Sequence, residues 1–332
     1  MPNGVDDDLA ILQTAIDTCF GTTGAPLSPL NYRPLYIPQG DWKVSAPLTM
    51  RAVQGGWVYG AGRFATKITN TTAGSVFVTN GCAYSLFENM RLVSSGSAVV
   101  FDLDWDNTGQ AALQSNTLSN LYFEGGGHGL RIGHTGYMGS ENLIQNCGFS
   151  GHSVAGVRTR NYNALQNKIA GGNIQSCDIG VYVEFGSVQD IIGTGFQLST
   201  TWDVKVDNSA DDCMSLIGCR SESPNFVRAQ HIGLHMAACN QINLTSGKFF
   251  EGTGLFSLSG CTSIAGQVIS NNNGGDIKNC QFGRDDWIAT ANGARVNVSM
   301  TRVGETLVDS GSGTPLMLTR GYVSGASVYT AS

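Results

Sequence analysis

A short hydrophobic pattern recurs through the middle of the chain. Each copy follows the form apolar-x-x-small-x-apolar, and six copies begin at residues 118, 144, 169, 191, 216 and 244, spaced 22 to 28 residues apart. A period of this length is typical of a solenoid whose turns bury their apolar faces against their neighbours. The pattern therefore predicts a stack of short parallel strands. A leucine-rich repeat has a similar period, but neither its Leu-x-x-Leu-x-Leu pattern nor an asparagine ladder is expected here.

A second strand is predicted after each of the first five units. Its rows are residues 129–133, 156–160, 180–184, 203–207 and 226–230. The second position is apolar in every row and the fourth in nearly every row, so both are expected to point inward and the third and fifth outward. Stacking the rows predicts one outward column of Arg131, Arg158, Tyr182, Lys205 and Arg228. The neighbouring column contains Gly133, Arg160, Glu184, Asp207 and Gln230.

The first seventy residues follow a different pattern. Apolar residues at helical spacing come after three aspartates, which predicts an amphipathic helix over residues 9–17 whose dipole favours the acids. Two short strands are expected on either side of the turn at 38–40, and another at 57–63.

Three N-terminal motifs carry a family resemblance. They are Gly-Val-Asp-Asp-Asp at 4–8, Tyr-Ile-Pro-Gln-Gly at 36–40 and Gly-Ala-Gly-Arg at 60–63. In this order they resemble the opening of the pectate lyase superfamily of right-handed parallel β-helices. Together with the repeats, the resemblance implies an all-β fold: a right-handed, single-stranded parallel β-helix with an N-terminal capping helix and a short β-rich C-terminal element. We expect residues 1–70 to form the cap and first turns, 71–290 the β-helix body, and 291–332 a C-terminal cap or oligomerisation element.

Composition narrows the functional classes. Charged residues make up 13% of the chain, against a usual value of about 25%. The net charge is −6, so there is no global basic field and no nucleic-acid partner is expected. No apolar run approaches the roughly 20 residues of a membrane span, so membrane insertion is not expected. The opening residues lack the basic and apolar regions of a secretory signal, so no signal peptide is expected.

The nine cysteines are predicted to be thiols. Their number is odd and none form a Cys-x-x-Cys pair, so neither a disulfide framework nor a zinc site is expected. Cys147, Cys177 and Cys219 fall near the bend of the repeat unit, where small apolar side chains can stack inward. We expect no metal and no other cofactor.

The outward columns hold the candidate binding residues. Five of the 19 lysines and arginines fall in these two columns, and like charges directly opposite one another destabilise a sheet. The cations are therefore either neutralised by the neighbouring acids or available to an anionic ligand. The candidate substrate-binding residues are Arg131, Arg158, Arg160, Tyr182, Lys205 and Arg228.

Two acids in the second column are the candidate catalytic pair. Glycoside hydrolysis needs two carboxyl groups, about 5–5.5 Å apart for retention or about 6.5–9.5 Å for inversion. Adjacent turns, about 4.8 Å apart, can supply either separation, and Glu184 and Asp207 are predicted to be adjacent. Arg160 beside Glu184 would keep one acid ionised, and repulsion would favour a proton on the other. Asp203 and Glu222 are the reserve candidates.

β-Elimination from a uronic acid is the competing reaction. It needs a cation to neutralise the substrate carboxylate and a base for the α-proton, and Arg158, Tyr182 and Lys205 in one column would suit it. Tyr137 and Tyr162 are candidates to stack on sugar rings, whereas core packing is expected for Trp202.

The resemblance extends to bacteriophage tailspikes. It implies a homotrimer that binds and cuts a bacterial surface polysaccharide, acidic or neutral, alongside other virion tail proteins. It also implies a place in the virion tail, after assembly in the host cytoplasm, or outside the cell. Two alternatives stay open: a binding-only adhesin or structural β-helix of the virion, and a free secreted polysaccharide lyase or hydrolase.

Overall fold

The computed structural model is a parallel β-solenoid preceded by one α-helix. It describes residues 2, 4–22, 25–106, 112–133, 138–208, 213–230, 232–243, 247–264, 266–270, 274–282, 287–290, 296–299, 306–309, 317–318 and 327–330. For residues 266–270, and for the strands beyond residue 282, the backbone pairing alone is described. No helix in these ranges is long and apolar enough to cross a membrane.

Three parallel sheets, which we name A, B and C, run the length of the solenoid. Sheet A has 13 strands: Leu35–Ile37, Trp57–Gly60, Leu86–Glu88, Thr117–Ser119, Leu143–Gln145, Asn167–Ala170, Val188–Ile192, Cys213–Ile217, Gly233–Ala237, Phe256–Ser259, Gly275–Lys278, Val296–Ser299 and Met317–Leu318. Sheet B has 11 strands: Gly40–Val44, Thr66–Asn70, Arg91–Ser94, Tyr122–Gly125, Gly148–Ser150, Asn173–Gln175, Gly195–Gln197, Arg220–Ser221, Asn240–Gln241, Thr262–Ser263 and Gln281–Phe282.

Sheet C completes each turn before the chain returns to sheet A. It has 13 strands: Leu48–Gln54, Phe77–Ala83, Val99–Asp104, His128–Ile132, Ala155–Thr159, Ile179–Val183, Trp202–Val206, Asn225–Ala229, Gly247–Gly252, Gly266–Ser270, Trp287–Thr290, Thr306–Asp309 and Ser327–Thr330. Neighbouring strands pair in parallel in all three sheets, and parallel crossovers are right-handed. The predicted fold class, a right-handed single-stranded parallel β-helix, is confirmed.

Short elements outside the three sheets lie near the N-terminus. The helix spans Leu9–Phe20, three residues longer than predicted, and a 3-10 turn covers Pro29–Asn31. A small antiparallel pair joins Gly21–Thr22 to Ala25–Pro26.

The helix is tied to the first turn by the aspartates of the N-terminal motif. Its buried residues are Leu12, Ile16 and Phe20. Asp7 accepts hydrogen bonds from the backbone N–H groups of Leu9 and Ser45, both at 3.1 Å. Asp8 accepts one from the N–H of Lys43 at 3.0 Å. The acids therefore satisfy backbone donors of both the helix and the neighbouring strand.

Aromatic rings hold the turns in register inside the solenoid. Phe123 and Phe149, on neighbouring turns, stack with centroids 4.6 Å apart and planes 6° apart. Further along, the centroid of Phe226 lies 6.0 Å from that of Phe196 and 5.6 Å from that of Phe249. Burial of each such side chain contributes about 1.5–3 kcal/mol. Because the rings follow one another from turn to turn, a register shift would disrupt many contacts at once.

All nine cysteines are free thiols, as predicted. Cys147 and Cys219 are buried at the bend between sheets A and B, and their sulfurs lie 3.3 Å from the carbonyl oxygens of Leu118 and Ile191. Cys177 is also buried, but at the next bend, between sheets B and C. Three further cysteines occupy the A–B bend on later turns: Cys239, Cys261 and Cys280.

The prediction that the sixth repeat unit starts at residue 244 is wrong. Residues 244–246 lie outside the described residues, and the sheet A strand of that turn is Gly233–Ala237. Three residues, 230–232, separate this strand from the preceding strand of sheet C, whereas the previous turn uses six, 207–212. Because Met236 pairs with Leu216, the unit of this turn begins at residue 236, eight residues earlier than predicted, and the shorter connection is part of the reason.

In the described part of the chain, sheets A and C continue further than sheet B. Four strands between residues 296 and 330 extend them, while the last described strand of sheet B is Gln281–Phe282. The division of the chain at residues 70 and 290 stays a prediction.

Asn116, Asn142 and Asn167 form a buried ladder, which the sequence was expected to lack. Each side chain is 0% exposed. The Oδ1 atom of Asn142 accepts hydrogen bonds from the backbone N–H and Nδ2 of Asn116, at 3.1 and 3.0 Å. The Oδ1 atom of Asn167 accepts the same two bonds from Asn142, at 3.1 and 2.9 Å. Each asparagine stands two residues before the first apolar residue of a unit, a position the repeat pattern leaves out.

Asp203 points into the core, which corrects its assignment as a reserve catalytic acid. Its side chain is 0% exposed, its Oδ2 atom accepts a 2.5 Å hydrogen bond from Ser221 Oγ, and its Oδ1 atom has no hydrogen-bond partner. Burial raises the pKa of this carboxyl to about 7, against the effect of nearby serine hydroxyls. The expected alternation of inward and outward side chains fails here. Trp202 and Val204 pair with the neighbouring strand but Asp203 does not, so Asp203 and Val204 both face inward.

Removing one asparagine of the ladder should destabilise the protein. Asn142→Ala leaves the buried backbone N–H of Asn116 without its acceptor, at about 1–3 kcal/mol, and removes the hydrogen bonds that the Asn142 amide makes to the side chains of Asn116 and Asn167. We expect the free energy of unfolding to fall by about 2–4 kcal/mol in urea denaturation. Gln145→Ala, an exposed position on the adjoining strand, is the control and should change it by less than about 0.5 kcal/mol. Equal losses in both variants would contradict the role of the ladder.

The buried carboxyl group of Asp203 predicts how the free energy of unfolding depends on pH. Its folded pKa of about 7 lies above the reference value of 3.8, so the folded chain keeps a proton that the unfolded chain releases between those values. The free energy of unfolding therefore falls across this window, by up to about 1.4 kcal/mol per pH unit, and levels off above it. Asp203→Asn should remove this component when unfolding is compared at pH 5 and pH 8. Parallel pH profiles for wild type and variant would show that Asp203 contributes nothing.

Candidate functional site

The pairing of sheet C brings seven polar residues into one column, which we call the central column. The strands align these residues directly opposite one another from turn to turn. In order they are Asp102, Arg131, Arg158, Tyr182, Lys205, Arg228 and Glu251. The five residues of the predicted column stand in the predicted order, and an acid follows at each end.

A second column, which we call the flanking column, lies two residues further along each strand. Its members are Gly133, Arg160, Glu184, Asp207 and Gln230. The backbone N–H of Asp207 donates to the carbonyl oxygen of Val183 at 3.0 Å, and that of Gln230 donates to Val206 at 3.0 Å. The ladder of sheet C thus extends to these residues and places Glu184 and Asp207 on successive turns.

The two ends of the central column are closed by ion pairs. Arg131 binds Asp102 with both ends of its guanidinium fork, from Nε to Oδ1 at 2.9 Å and from Nη2 to Oδ2 at 2.5 Å. At the other end, Arg228 Nε lies 3.4 Å from Glu251 Oε1, and Lys248 also pairs with Glu251. Acids therefore neutralise the column from both sides.

Glu184 binds two arginines at the centre of the site. Arg158 donates to its Oε2 atom from Nη2 at 2.6 Å and from Nε at 3.1 Å, and Arg160 Nε lies 3.3 Å from the same oxygen. Arg158 Nη1 also lies 3.1 Å from His128 Nε2. Burial, followed by the charge of Arg158, lowers the pKa of His128 to about 3. This imidazole is therefore neutral and can accept a hydrogen bond from the guanidinium.

Asp207 is held by a phenol and an ammonium group. The hydroxyl of Tyr182 donates to its Oδ2 atom at 2.8 Å, and Lys205 Nζ donates to the same atom at 2.7 Å. The Tyr182 ring lies between two cations, 5.2 Å from Arg158 Cζ and 4.7 Å from Lys205 Nζ. Burial, and then the hydrogen bond to Asp207, raises the pKa of Tyr182 to about 12. The phenol therefore keeps its proton near neutral pH.

Each of the five cations in the two columns contacts a carboxylate. Of the two possibilities left open by the sequence, the geometry shows neutralisation, with two further acids at the ends of the central column. Ion pairs that are partly exposed contribute only about 0–1 kcal/mol each to stability. Their main effect is to hold hydrogen-bond donors and acceptors in fixed positions along the outer face of sheet C.

Glu222 lies on another face of the solenoid. It follows the sheet B strand Arg220–Ser221, and its Oε1 atom pairs with Arg220 Nη2 at 2.9 Å. The structure therefore does not bring Glu222 to the Glu184 and Asp207 pair, because the bend between sheets B and C intervenes. Among the described residues, no group of three or more His, Cys, Asp or Glu side chains gathers as a metal site.

Two exposed aromatic residues adjoin the flanking column. Phe185 follows Glu184 and is 39% exposed, and Tyr162 lies two residues after Arg160 and is 69% exposed. Trp202 is buried, as expected, with Lys248 Nζ 5.8 Å from its ring centroid. Tyr137 lies outside the described residues.

Asp102, Glu251 and His128 belong to the network and were missed by sequence reasoning. Asp102 and Glu251 would have appeared if the rows had been continued by one turn in each direction, since each pairs with the third residue of the adjoining row, Arg131 or Arg228. His128 gives no comparable signal, because it begins the strand His128–Ile132 and precedes the predicted row by one residue.

Comparisons with known proteins bear on the fold. No protein-family model matches the chain, and no curated protein matches it. Tailspike protein 2 of the Escherichia coli O157:H7 bacteriophage CAB120 is similar in structure, with a TM-score of 0.53 and 13% identity over 87% of this chain and 41% of that one. An N-terminal fragment of gene product 12 of bacteriophage Phi29 gives a TM-score of 0.50 at 16% identity, over 98% and 63% of the two chains.

A third similar structure is the A-module of the Azotobacter vinelandii mannuronan C-5 epimerase AlgE4. Its TM-score is 0.50 at 13% identity, over 99% of this chain and 97% of the module. The chain spans less than two thirds of the length of either phage protein chain. At these identities the likeness establishes a shared architecture, the parallel β-helix, and it does so for proteins with different names and activities.

Proposed function

We propose that this chain binds a bacterial surface polysaccharide along the outer face of sheet C, as part of a phage tail. The observation that carries the proposal is the unbroken strip of fixed, paired polar side chains over seven successive turns of that face. A strip that repeats once per turn, about every 4.8 Å, suits an extended polymer better than a compact ligand.

The chemistry of the strip suits sugar hydroxyl groups. A hydroxyl both donates and accepts hydrogen bonds, and the strip offers guanidinium donors beside carboxylate acceptors such as Arg160 and Glu184. Hydrogen bonds to charged groups are stronger than those between neutral groups. The exposed rings of Tyr162 and Phe185 add apolar faces beside these groups. A polar strip flanked by aromatic rings is therefore well matched to a chain of sugar rings.

The fold is compatible with this role. One similar structure is a phage tailspike, and another is the module of an enzyme named for the polysaccharide mannuronan. Assembly as a homotrimer, contact with other virion tail proteins, and a location in the virion tail or outside the cell belong to the same proposal. A binding-only adhesin would satisfy the geometry without any cleavage.

Hydrolysis of the bound polysaccharide is the second function that we propose. The supporting observation is that Glu184 and Asp207 occupy the same position on successive turns of the flanking column. A separation near one turn is close to the ~5–5.5 Å of retaining glycosidases. In this proposal Glu184, held by two arginines, is the nucleophile that bonds to the anomeric carbon as the glycosidic bond breaks. Asp207 is the acid: it takes up a proton from water and passes it to the leaving oxygen.

Lyase chemistry has weaker support. It would use Tyr182 as the base that removes the α-proton, with Arg158 and Lys205 near the uronate carboxylate. The pKa of Tyr182 is raised to about 12, which leaves little phenolate near neutral pH. We therefore favour hydrolysis over β-elimination.

Binding should depend on the exposed tyrosine of the strip. Tyr162→Ala should weaken binding to a bound member of a panel of purified capsular and O-antigen polysaccharides about tenfold, or ~1.4 kcal/mol. Tyr84→Ala is the matched control, because Tyr84 is 62% exposed at a corner of the solenoid in an early turn. Biolayer interferometry on immobilised polysaccharides measures both variants. Binding to no member of the panel, or equal effects of the two variants, would contradict the proposed site.

Cleavage should depend on the carboxylate pair. Glu184→Gln and Asp207→Asn should each lower the rate at which new reducing ends appear by at least about 100-fold, while binding is retained. The ultraviolet absorbance of unsaturated uronate is followed in parallel. New ends with that absorbance indicate elimination, and cleavage by both variants at the wild-type rate would remove these acids from the mechanism.

A further inference from the structure

We infer that the sheet C face selects an uncharged polysaccharide and disfavours an acidic one. The inference rests on the proposed function, since it names the substrate class of the same strip. It also decides against one of the two interpretations that the sequence left open, in which the column of cations meets an anionic glycan.

The first argument is the order of charges along the central column. Its cations begin next to Asp102 and end next to Glu251, and these acids lie directly opposite Arg131 and Arg228. A polyanion that followed the column would meet a carboxylate at both ends. Like charges that face one another across a sheet are unfavourable.

The second argument is that the cations already have partners. The side chains of Arg131 and Asp102 are only 16% and 10% exposed, and those of Arg158 and Glu184 are 14% and 23% exposed. An anionic sugar would have to displace a carboxylate that is bound in a fork geometry and shielded from water. Pairs of this kind resist exchange because the displaced charge would lose its hydrogen bonds.

The third argument concerns the groups that face outward. Among the more exposed members of the strip are Arg160 at 39% and Asp207 at 31%. They carry opposite charges on neighbouring parts of the flanking column, so one donates and the other accepts. A hydroxyl group can use both, whereas a carboxylate only accepts hydrogen bonds and is repelled by Asp207.

Heparin provides a test that does not require the natural ligand. Wild-type protein should elute from a heparin column at or below about 0.15 M NaCl, where charges separated by more than ~8 Å are screened. The double variant Glu184→Gln, Asp207→Asn removes the carboxylates that pair with Arg158, Arg160 and Lys205, and it should elute at about 0.1 M higher NaCl.

A matched control changes the net charge equally on other faces. The double variant Asp190→Asn, Glu222→Gln removes one acid on sheet A, paired with Lys168, and one beside sheet B, paired with Arg220. It should elute close to wild type. A later elution of the sheet C variant alone supports the inference, whereas equal shifts in the two double variants overturn it.

Two further results would overturn the inference and leave the proposed function standing. One is tight heparin binding by the wild type that is lost in Arg160→Ala. The other is binding to a uronate-containing polysaccharide of the panel that disappears after chemical reduction of its carboxyl groups. Failure of the proposed function itself is a separate result, the absence of binding to any polysaccharide, charged or neutral.

Discussion

The structure depends on one constraint, the parallel hydrogen-bond ladder that joins each turn to the next. Because neighbouring strands pair in fixed register, a residue at a given position stacks on its counterpart about 4.8 Å away in the following turn. The same ladder lines up the phenylalanines in the core, the buried asparagines at a bend and the charged residues outside. Side chains of one kind therefore form columns, and a column is the unit in which this fold can build either stability or a binding surface.

Stacking has different consequences inside and outside the solenoid. Inside, a polar column must satisfy itself, which the amides of Asn116, Asn142 and Asn167 achieve by bonding to one another. Asp203 is the exception, since one of its oxygens has no hydrogen-bond partner and burial shifts its pKa towards neutrality. Outside, the stacked cations would repel one another. Acids at both ends of the column and in the neighbouring column form ion pairs with them. The acids therefore neutralise cations that the ladder brings together, on the same face that we propose as the binding site.

Much of the fold could be predicted from residue patterns because the ladder repeats them. The alternation of apolar and polar positions was sufficient to predict that Arg131, Arg158, Tyr182, Lys205 and Arg228 share one column. The direction of Asp203 could not be predicted in this way, because the pairing skips the second residue of its strand, between Trp202 and Val204. The unit at residue 244 was misplaced because a shortened connection changes the period and because residues 247–249, which match the pattern, belong to a strand of sheet C. The ion pairs depend on rotamers and on acids one turn beyond the rows considered, which a strand pattern alone does not reveal.

The central claim is that sheet C, rather than sheet A or sheet B, is the surface that holds a polysaccharide. A crystal structure of the chain with an oligosaccharide released from a bound polysaccharide tests this most directly. The account predicts sugar rings along the flanking column, with hydroxyl groups hydrogen-bonded to Arg160 and Asp207 and a ring against Tyr162. An oligosaccharide seated on sheet A or sheet B, with these three side chains untouched, would contradict it.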